Sequence, residues 1–402
     1  MLKAKFIGIG AAGNKAVINL IEKGVVTKKD VKLLNSTTRD IPSEYHDIAY
    51  TFKDSVGGCG KERDIAKNLA LNSLRVNDLN LDGLLDPDDK MVIIANSSEG
   101  GTGCGASSII ADYMSSVVGA NVHMFVFTGF EEDGRGLQNT VEYFQDLKED
   151  YVVEAISNKK FLEVTGNKLK AEKAANDEFA RRVKILLGHV IVEAEQNIDD
   201  TDLYKISTTP GYMSIELAYL DKVKNVDMFN RIVADAIDNS KSLDFEPTAK
   251  RIGVILHVSE KTKECIDYSF SVIKEKFGTP YEIFTHIQDN EDSKEFIAII
   301  ASGIKLPLED VKEIYERYKQ ESSKVDKRKD MFFDFASDLR GNQDDGMFNM
   351  RPKEVKNPDV TAKRDFFGNY SMKPETTSGK EKFKHTTIVS VEPSDKNIKS
   401  KY

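Results

Sequence analysis

Residues 91–95 read Met-Val-Ile-Ile-Ala, and shortly afterwards the chain reads Glu99-Gly100-Gly101-Thr102-Gly103-Cys104-Gly105, followed by a helical pattern over residues 107–118. A short apolar run, a loop with four glycines in seven positions and then a helix is the strand–turn–helix pattern of a parallel α/β sheet. The same pattern occurs near the amino terminus. There residues 5–9 run into Gly8-Ile9-Gly10-Ala11-Ala12-Gly13 and then into a helical stretch over 16–23. Glycines in such a loop let backbone N–H groups approach a phosphate at the start of a helix. Two such units in one sheet would hold one polyphosphate from two sides, with both helix dipoles aimed at it. A tight turn is a serious rival reading for either loop alone and a weaker one for the pair.

Further apolar runs at 31–34, 48–52 and 122–127, with a helical pattern at 64–75, predict a doubly wound parallel sheet over the first third of the chain. Gly8-x-Gly10-x-x-Gly13 alone suggests a Rossmann NAD-dependent oxidoreductase. That site expects an acidic residue at the end of the second strand, where this chain has Leu34-Asn35-Ser36. A third cluster, Gly57-Gly58-Cys59-Gly60-Lys61, departs from the P-loop pattern at Ser55 and Glu62. It reads as a third phosphate-side turn offering Gly58 and Gly60, with a plain loop almost as good a reading.

From Leu169 the apolar positions Ala175, Phe179, Val183, Leu186, Leu187, Val190, Ile191 and Ala194 keep helical spacing and predict one long helix, about 25 residues and roughly 38 Å. A second module follows: strands at 251–258, 281–287 and 296–301, a helix at 260–277, and a charged helix from 308 to about 336. After Gly341 the chain is polar and aperiodic, is net positive by about three charges, and reads as a disordered tail.

Of 402 residues, 40% are apolar and 31% charged, a soluble globular composition, and no apolar run approaches the roughly 20 residues a membrane span needs. The expectation is therefore no membrane association. The net charge of −9 argues against the body being a DNA-binding surface. Cys59, Cys104 and Cys265 are far apart and lack metal-ligand spacing. With no signal-peptide pattern at the start, they predict a cytoplasmic, reducing setting and no metal held by side chains.

The set of loops resembles the tubulin/FtsZ superfamily. The second glycine loop is similar to that family's GGGTG[TS]G signature, departing at Glu99 and Cys104. Gly10, Ala11, Ala12, Gly13 and Asn14 resemble its first loop, with two alanines in place of glycines. Four more segments resemble family segments in the family's order: Phe130-Glu131-x-x-x-Arg135, Ser157-Asn158-Lys159-Lys160-Phe161-Leu162, Ala174-Ala175-Asn176-Asp177, and Asn197-Ile198-Asp199-Asp200-Thr201-Asp202. The motifs cover roughly residues 5–205.

The resemblance implies GTP and GDP as ligands, with Mg²⁺ held chiefly by phosphates and water. Phosphate contacts fall to Gly10, Ala11, Ala12, Gly13, Asn14, Gly58, Gly60, Gly100, Gly101, Thr102 and Gly103, with Glu99 adding charge nearby. Glu131 and Arg135 would meet the ribose and its neighbourhood, and Asn158 the guanine. Asp177 would read the base, because a carboxylate accepts from guanine N1 and N2 together; Asn176 is the alternative reader. Lys173 stands where the family places a stacking aromatic. Asn197, Asp199 and Asp202, about 30 Å along the helix from Asp177, would serve hydrolysis on the next subunit of a head-to-tail polymer.

The resemblance also implies a layout: a GTP-binding domain at 1–168, a core helix at 169–196, a smaller α+β activation domain at 197–304, a C-terminal helix at 305–340 and a basic tail at 341–402. The departures from FtsZ favour a TubZ-type filament that segregates plasmid or phage DNA, its tail meeting a TubR-like DNA-binding adaptor. An FtsZ-like division protein is the alternative.

Overall fold

A computed structural model describes residues 1–338, except 77, 87, 88, 90, 192, 193, 195, 196 and 290–293; the side chains of residues 82 and 324–338 are also outside the description. The predicted tail at 341–402 lies outside the described residues.

The first half alternates as the sequence predicts: β1 (Ala4–Ile9), α1 (Gly10–Glu22), β2 (Val31–Asn35), β3 (Ala49–Thr51), α2 (Arg63–Arg75), β4 (Met91–Ser97), α3 (Thr102–Tyr113), β5 (Asn121–Thr128), α4 (Gly134–Asp146), β6 (Val152–Ser157), α5 (Asn158–Thr165) and α6 (Lys168–Leu186). The second half comprises α7 (Asp200–Ser207), β7 (Gly211–Tyr219), α8 (Val226–Asp238), β8 (Arg251–Val258), α9 (Glu260–Lys263), α10 (Ser271–Phe277), β9 (Glu282–Asp289), β10 (Phe296–Ile304) and α11 (Leu308–Asp338). All ten strands join one sheet in the order β3-β2-β1-β4-β5-β6-β7-β10-β8-β9. The pairs from β3 to β7 are parallel, and β10 is antiparallel to both its neighbours.

The strands beneath the site are buried on both faces, which is why β4 and β5 read as near-continuous apolar runs. One core cluster joins Ala16, Val17 and Leu20 of α1 with Phe6, Ile93 and Phe125 of the sheet and Phe179, Val183 and Leu186 of α6. Phe179 is wholly buried, edge-on to Phe125 at 4.8 Å and to Phe127 at 5.8 Å. Such a side chain typically contributes about 3–5 kcal/mol and fixes the seat of α6. α3, buried along its whole length except at Thr102, packs against both α2 and α4.

Two predicted helices are shorter than their apolar spacing suggests. The long helix stops at Leu186, because Gly188 adopts φ +74. Gly188 N–H donates to Ile185 O and His189 N–H to Lys184 O, the paired bonds of a glycine-terminated helix end. Val190 therefore belongs to a turn and Ile191 and Ala194 lie outside any helix, while residues 192, 193, 195 and 196 of the expected helix lie outside the described residues. The stretch 260–277 breaks into α9 and α10, because the Asp267 carboxylate takes the backbone N–H groups of Ser269 and Ser271 and Phe270 turns to φ +50. Among the described residues, no helix is long and apolar enough to cross a membrane.

Candidate functional site

The strand order 3-2-1-4-5-6 places a topological switch between β1 and β4, and such sheets bind ligands in the crevice beyond the carboxyl ends of those strands. A cleft of about 280 Å³ opens there. It is lined by Ile9, Gly10, Ala11 and Ala12 after β1, by Asn35, Ser36, Thr37 and Asp40 after β2, by Gly58, Cys59 and Gly60, and by Ser97, Gly100, Gly101, Thr102 and Gly103 after β4.

The glycines let three loops interlock. A Cβ on Gly10, whose φ is +74, would lie 2.8 Å from Gly103 N, and one on Gly101 would lie 2.9 Å from the Cys59 Cβ. α1 and α3 both start at this cleft without a side-chain cap. By contrast, α4 to α8 are each capped by the preceding side chain, from Asp133, Ser157, Asn167, Asp199 and Asn225. The first N–H groups of α1 and α3 are thus available to a ligand, with two dipoles converging on it. Of the lining residues only Asp40 is charged. The cleft therefore suits an anion bound through backbone N–H groups and the hydroxyls of Ser36, Thr37, Ser97 and Thr102. Ser36 and Thr102 Oγ atoms are themselves 2.9 Å apart, joining the β2 and β4 walls.

The predicted residues divide by position. Gly10, Ala11, Ala12, Gly58, Gly60, Gly100, Gly101, Thr102 and Gly103 line the cleft. Gly13 and Asn14 support it from below. A Cβ on Gly13 would lie 2.0 Å from Ala95 O, so that glycine seats α1 on β4, while buried Asn14 donates from Nδ2 to Leu34 O at 3.2 Å. Arg135 pairs with Glu62 at 2.6 Å at the surface, and Asn158 opens α5 with a buried Oδ1 that has no partner. Asp177 lies beside the far half of α1, 3.0 Å from Lys23 Nζ and 3.4 Å from Asn19 Nδ2. Asn19 is about 14 Å along α1 from Gly10, so Asp177 and the glycine loops mark two ends of one stretch of surface.

Glu99 departs from its expected role. Its carboxyl turns away from the cleft, accepts the Glu131 N–H at 3.3 Å, and fills the space a Cβ would need on Gly129 and Gly136. Burial pushes its carboxyl pKa up. Glu131 itself sits at φ +59, half-buried.

No protein-family profile matches the chain. The cell division protein FtsZ of Mycoplasmopsis pulmonis (strain UAB CTIP) is 28% identical over 218 residues, a match spanning 52% of this chain and 53% of the relative. Clostridium botulinum phage c-st TubZ superposes with a TM-score of 0.62 over 80% of this chain and 100% of its own, at 19% identity. CetZ2 from Haloferax volcanii, in a GTPγS-bound protofilament, gives 0.64 over 81% and 100%, at 16% identity. TubZ of Bacillus thuringiensis serovar israelensis, in a GTPγS-form protofilament, gives 0.64 over 82% and 94%, at 14% identity. The chain has the tubulin/FtsZ fold.

Within that fold, Asn197, Asp199 and Asp202 lie far from the cleft. Asn197 closes its loop by exchanging hydrogen bonds with the backbone of Ala194. Asp199 is exposed and caps α7, accepting Asp202 N–H at 2.8 Å; half-buried Asp202 has Lys205 Nζ 3.7 Å away. The neighbouring Asp200 meets the Met1 amine, and Leu2 N–H donates to Leu187 O at 3.0 Å. This acidic turn therefore sits where the chain enters β1, and the cleft sits where it leaves. The six residues of β1, about 20 Å, and the three that precede it separate the two. With α6 ending at Leu186, the sheet provides this separation in place of the continuous helix expected from the sequence.

The lining residues Asn35, Ser36, Thr37, Asp40, Cys59 and Ser97 were not singled out as ligand contacts from sequence. Those after β2 were recoverable, because a switch-point cleft must be walled by the strand beside β1. Among the described residues, no group of three or more His, Cys, Asp or Glu side chains is arranged to hold a metal ion.

Proposed function

We propose that the chain is a GTPase that assembles head to tail, each nucleotide site being completed by the acidic turn of the next subunit. The observation that carries this reading is the placement of an uncapped, glycine-lined anion cleft and an exposed acidic turn at opposite ends of the same strands. Stacking copies along the strand direction brings one against the other. GTP and GDP would be held by their phosphates at the N-termini of α1 and α3 and by guanine toward Asp177, with Asn158, Glu131 and Arg135 as the further contacts that the motif resemblance implies. Asp199 and Asp202 would orient water toward the terminal phosphate of the adjoining subunit, a step that is mainly positioning and electrostatics. Mg²⁺, when bound, supplies neutralisation of phosphate charge. The Asp40 carboxylate and the Ser36 and Thr102 hydroxyls are hard oxygen donors suited to it, with phosphates and water completing its shell.

On this reading residues 1–168 form the GTP-binding domain, the α6 segment the core helix, residues 197–304 the activation domain and residues 305–340 the C-terminal helix. Segregation of plasmid or phage DNA, through a TubR-like adaptor bound by the basic tail, is the finer part of the proposal and rests on the motif resemblance. A division role is supported by the FtsZ relative. Sedimentation and electron microscopy with GTP, with a slowly hydrolysed analogue and with ATP test the proposal. Filaments are expected with the guanine nucleotides alone, and GTP turnover per chain should rise with protein concentration. Full turnover by an isolated chain would overturn it.

A further inference from the structure

Outside the cleft, the densest buried charge lies where β6 meets β7. These strands pair through two residue pairs, Val152 with Gly211 and Val153 with Tyr212. Beyond them, side chains from several elements fill the gap. Arg182 of α6, wholly buried, donates from Nη1 to Glu154 Oε1 on β6 at 2.6 Å and to Ser242 Oγ at 2.9 Å, and from Nε to Glu178 Oε1 at 2.6 Å. Glu216 of β7 accepts the hydroxyls of Ser214 at 2.7 Å and Ser240 at 2.5 Å. The other titratable or charged groups facing the cluster are Arg181, paired with Glu178; His123 of β5, 3.9 Å from Glu154 Oε2; Tyr212, whose hydroxyl accepts Leu243 N–H; and Lys160, which donates to Ser242 O at 2.7 Å. Glu154 Oε2, Arg182 Nη2 and both His123 ring nitrogens are buried and have no hydrogen-bond partner.

The charges do not balance if every carboxyl is ionised. Lys160 is matched by Asp244, 2.7 Å away, so three carboxylates face two guanidiniums, and His123 stays neutral because burial pushes its pKa down to about 3. A buried, unmatched carboxylate is relieved by taking a proton. Burial would raise Glu178, but Arg182 and Arg181 outweigh it and hold its carboxyl at about 2, so Glu178 stays charged. Burial pushes Glu154 up to about 8, against the pull of Arg182, and pushes Glu216 up as well. With one proton held by either Glu154 or Glu216 the cluster is neutral. Above pH 8 that proton leaves to water, and a negative charge remains where the two strands are most weakly joined.

Glu178 directly follows Asp177. Arg182 grips Glu178 on one side, and on the other it grips Glu154 on β6 and, through Ser242, the loop that faces Glu216 on β7. We infer that Arg182 is a positioning residue for the base-side turn of α6, and that the Glu154–Glu216 pair carries one exchangeable proton whose loss loosens that turn. The inference rests on the guanine-nucleotide reading of the cleft and adds a pH-sensitive support behind it.

The sign follows from linkage. A carboxyl that keeps its proton to about 8 when folded, against about 4.3 when unfolded, makes the folded chain bind more protons between those values. Its contribution to stability is therefore full at low pH and is lost as pH rises toward 8.

The test measures GDP binding to the full chain by calorimetry from pH 7 to 9, beside Glu154→Gln, which keeps the shape and removes the proton. The unaltered chain should bind at least about five-fold more weakly at pH 9, the low end of ordinary coupling between sites, while Glu154→Gln stays level. The nucleotide's own ionisation is common to both and cancels in the ratio. The same pH dependence in both would overturn the proton assignment. Arg182→Lys, which cannot reach all three partners, should weaken GDP binding at pH 7, as should the milder Ser242→Ala if the lysine variant does not fold. Unchanged binding in the variant that folds would overturn the positioning role. Thermal unfolding without nucleotide separates the two layers. The midpoint should fall from pH 7 to 9 in the unaltered chain and not in Glu154→Gln, whether or not GDP binds; failure of the unaltered chain to bind GDP at all would sink the guanine-nucleotide reading and the positioning role with it.

Discussion

Replacing Gly10 by alanine tests the cleft at the contact on which it depends. Gly10 holds φ +74, and an added Cβ would lie 2.8 Å from Gly103 N. Two costs follow and can be separated. The left-handed conformation costs an L-residue about 1–2 kcal/mol, which a domain with about 5–15 kcal/mol of stability survives. The clash is with backbone, so the methyl must push the first turn of α3 aside by about half an ångström to reach ordinary contact. Gly103 N–H then no longer points where the α1 donors converge. Losing one hydrogen bond to a charged group costs about 1.5–3 kcal/mol, which is about ten- to a hundred-fold in affinity. Gly24→Ala supplies the control. Gly24 has φ +65 with nothing within 4 Å of its Cβ position, and it lies outside the cleft. GDP titration calorimetry and thermal unfolding on both variants should show a loss of stability in each, larger in Gly10→Ala by the cost of the clash, with loss of affinity confined to Gly10→Ala. Equal GDP affinity in the two variants would refute the account of interlocked loops.

Asp202→Ala should slow phosphate release while leaving sedimentable polymer intact. Asp199→Ala should do the same and also lose about 0.5–2 kcal/mol of stability, because Asp199 caps α7; Asp199→Asn should restore that stability without restoring turnover. Asp177→Ala should weaken GTP binding about ten-fold or more, by loss of the base's carboxylate partner, and should narrow the preference over ATP in a competition assay. Removing the residues after Gly341 should leave GTP-dependent sedimentation unchanged and abolish co-sedimentation of a DNA-binding adaptor.

The first half of the fold was legible because its strands are buried on both faces and its turns carry glycine. β1, β2, β4 and β5 announce themselves as apolar runs, and Gly10, Gly100 and Gly101 mark where they end. β7 was harder to see. Its residues Ser214 and Glu216 are polar yet buried, because Glu216 accepts the Ser214 and Ser240 hydroxyls and lies in the field of Arg182, and no local pattern reveals partners more than twenty residues away. The end of α6 was misplaced for a different reason. Val190 and Ile191 keep the helical period past Gly188 because they pack against the same core from a turn, so periodicity reported burial rather than helix. At the site, the glycine loops were readable as a set, whereas Ser36, Thr37 and Asp40 become wall residues through the strand order, which a linear reading does not contain. Glu99 adjoins the glycines and so reads in sequence as a charge near the phosphates; its side chain points instead into the space left by Gly129 and Gly136.

The strand order of this sheet is shared with dinucleotide-binding enzymes, so the order alone cannot favour a nucleoside triphosphate. Two local features can. In a dinucleotide site the end of the second strand carries an acid for a ribose. Here that position is Asn35-Ser36, with no acid: Ser36 Oγ meets Thr102 Oγ1, and Ser36 O takes the Ser55 hydroxyl. The second feature is α6, whose Asp177 and Glu172 lie along α1 beside Asn19, Lys23 and Lys15. The surface that leads away from the phosphate end thus runs along α1 toward the Asp177 carboxylate, and the β2 wall offers Asn35 and Ser36 where a dinucleotide site offers an acid. A ligand with one base and several phosphates matches this arrangement.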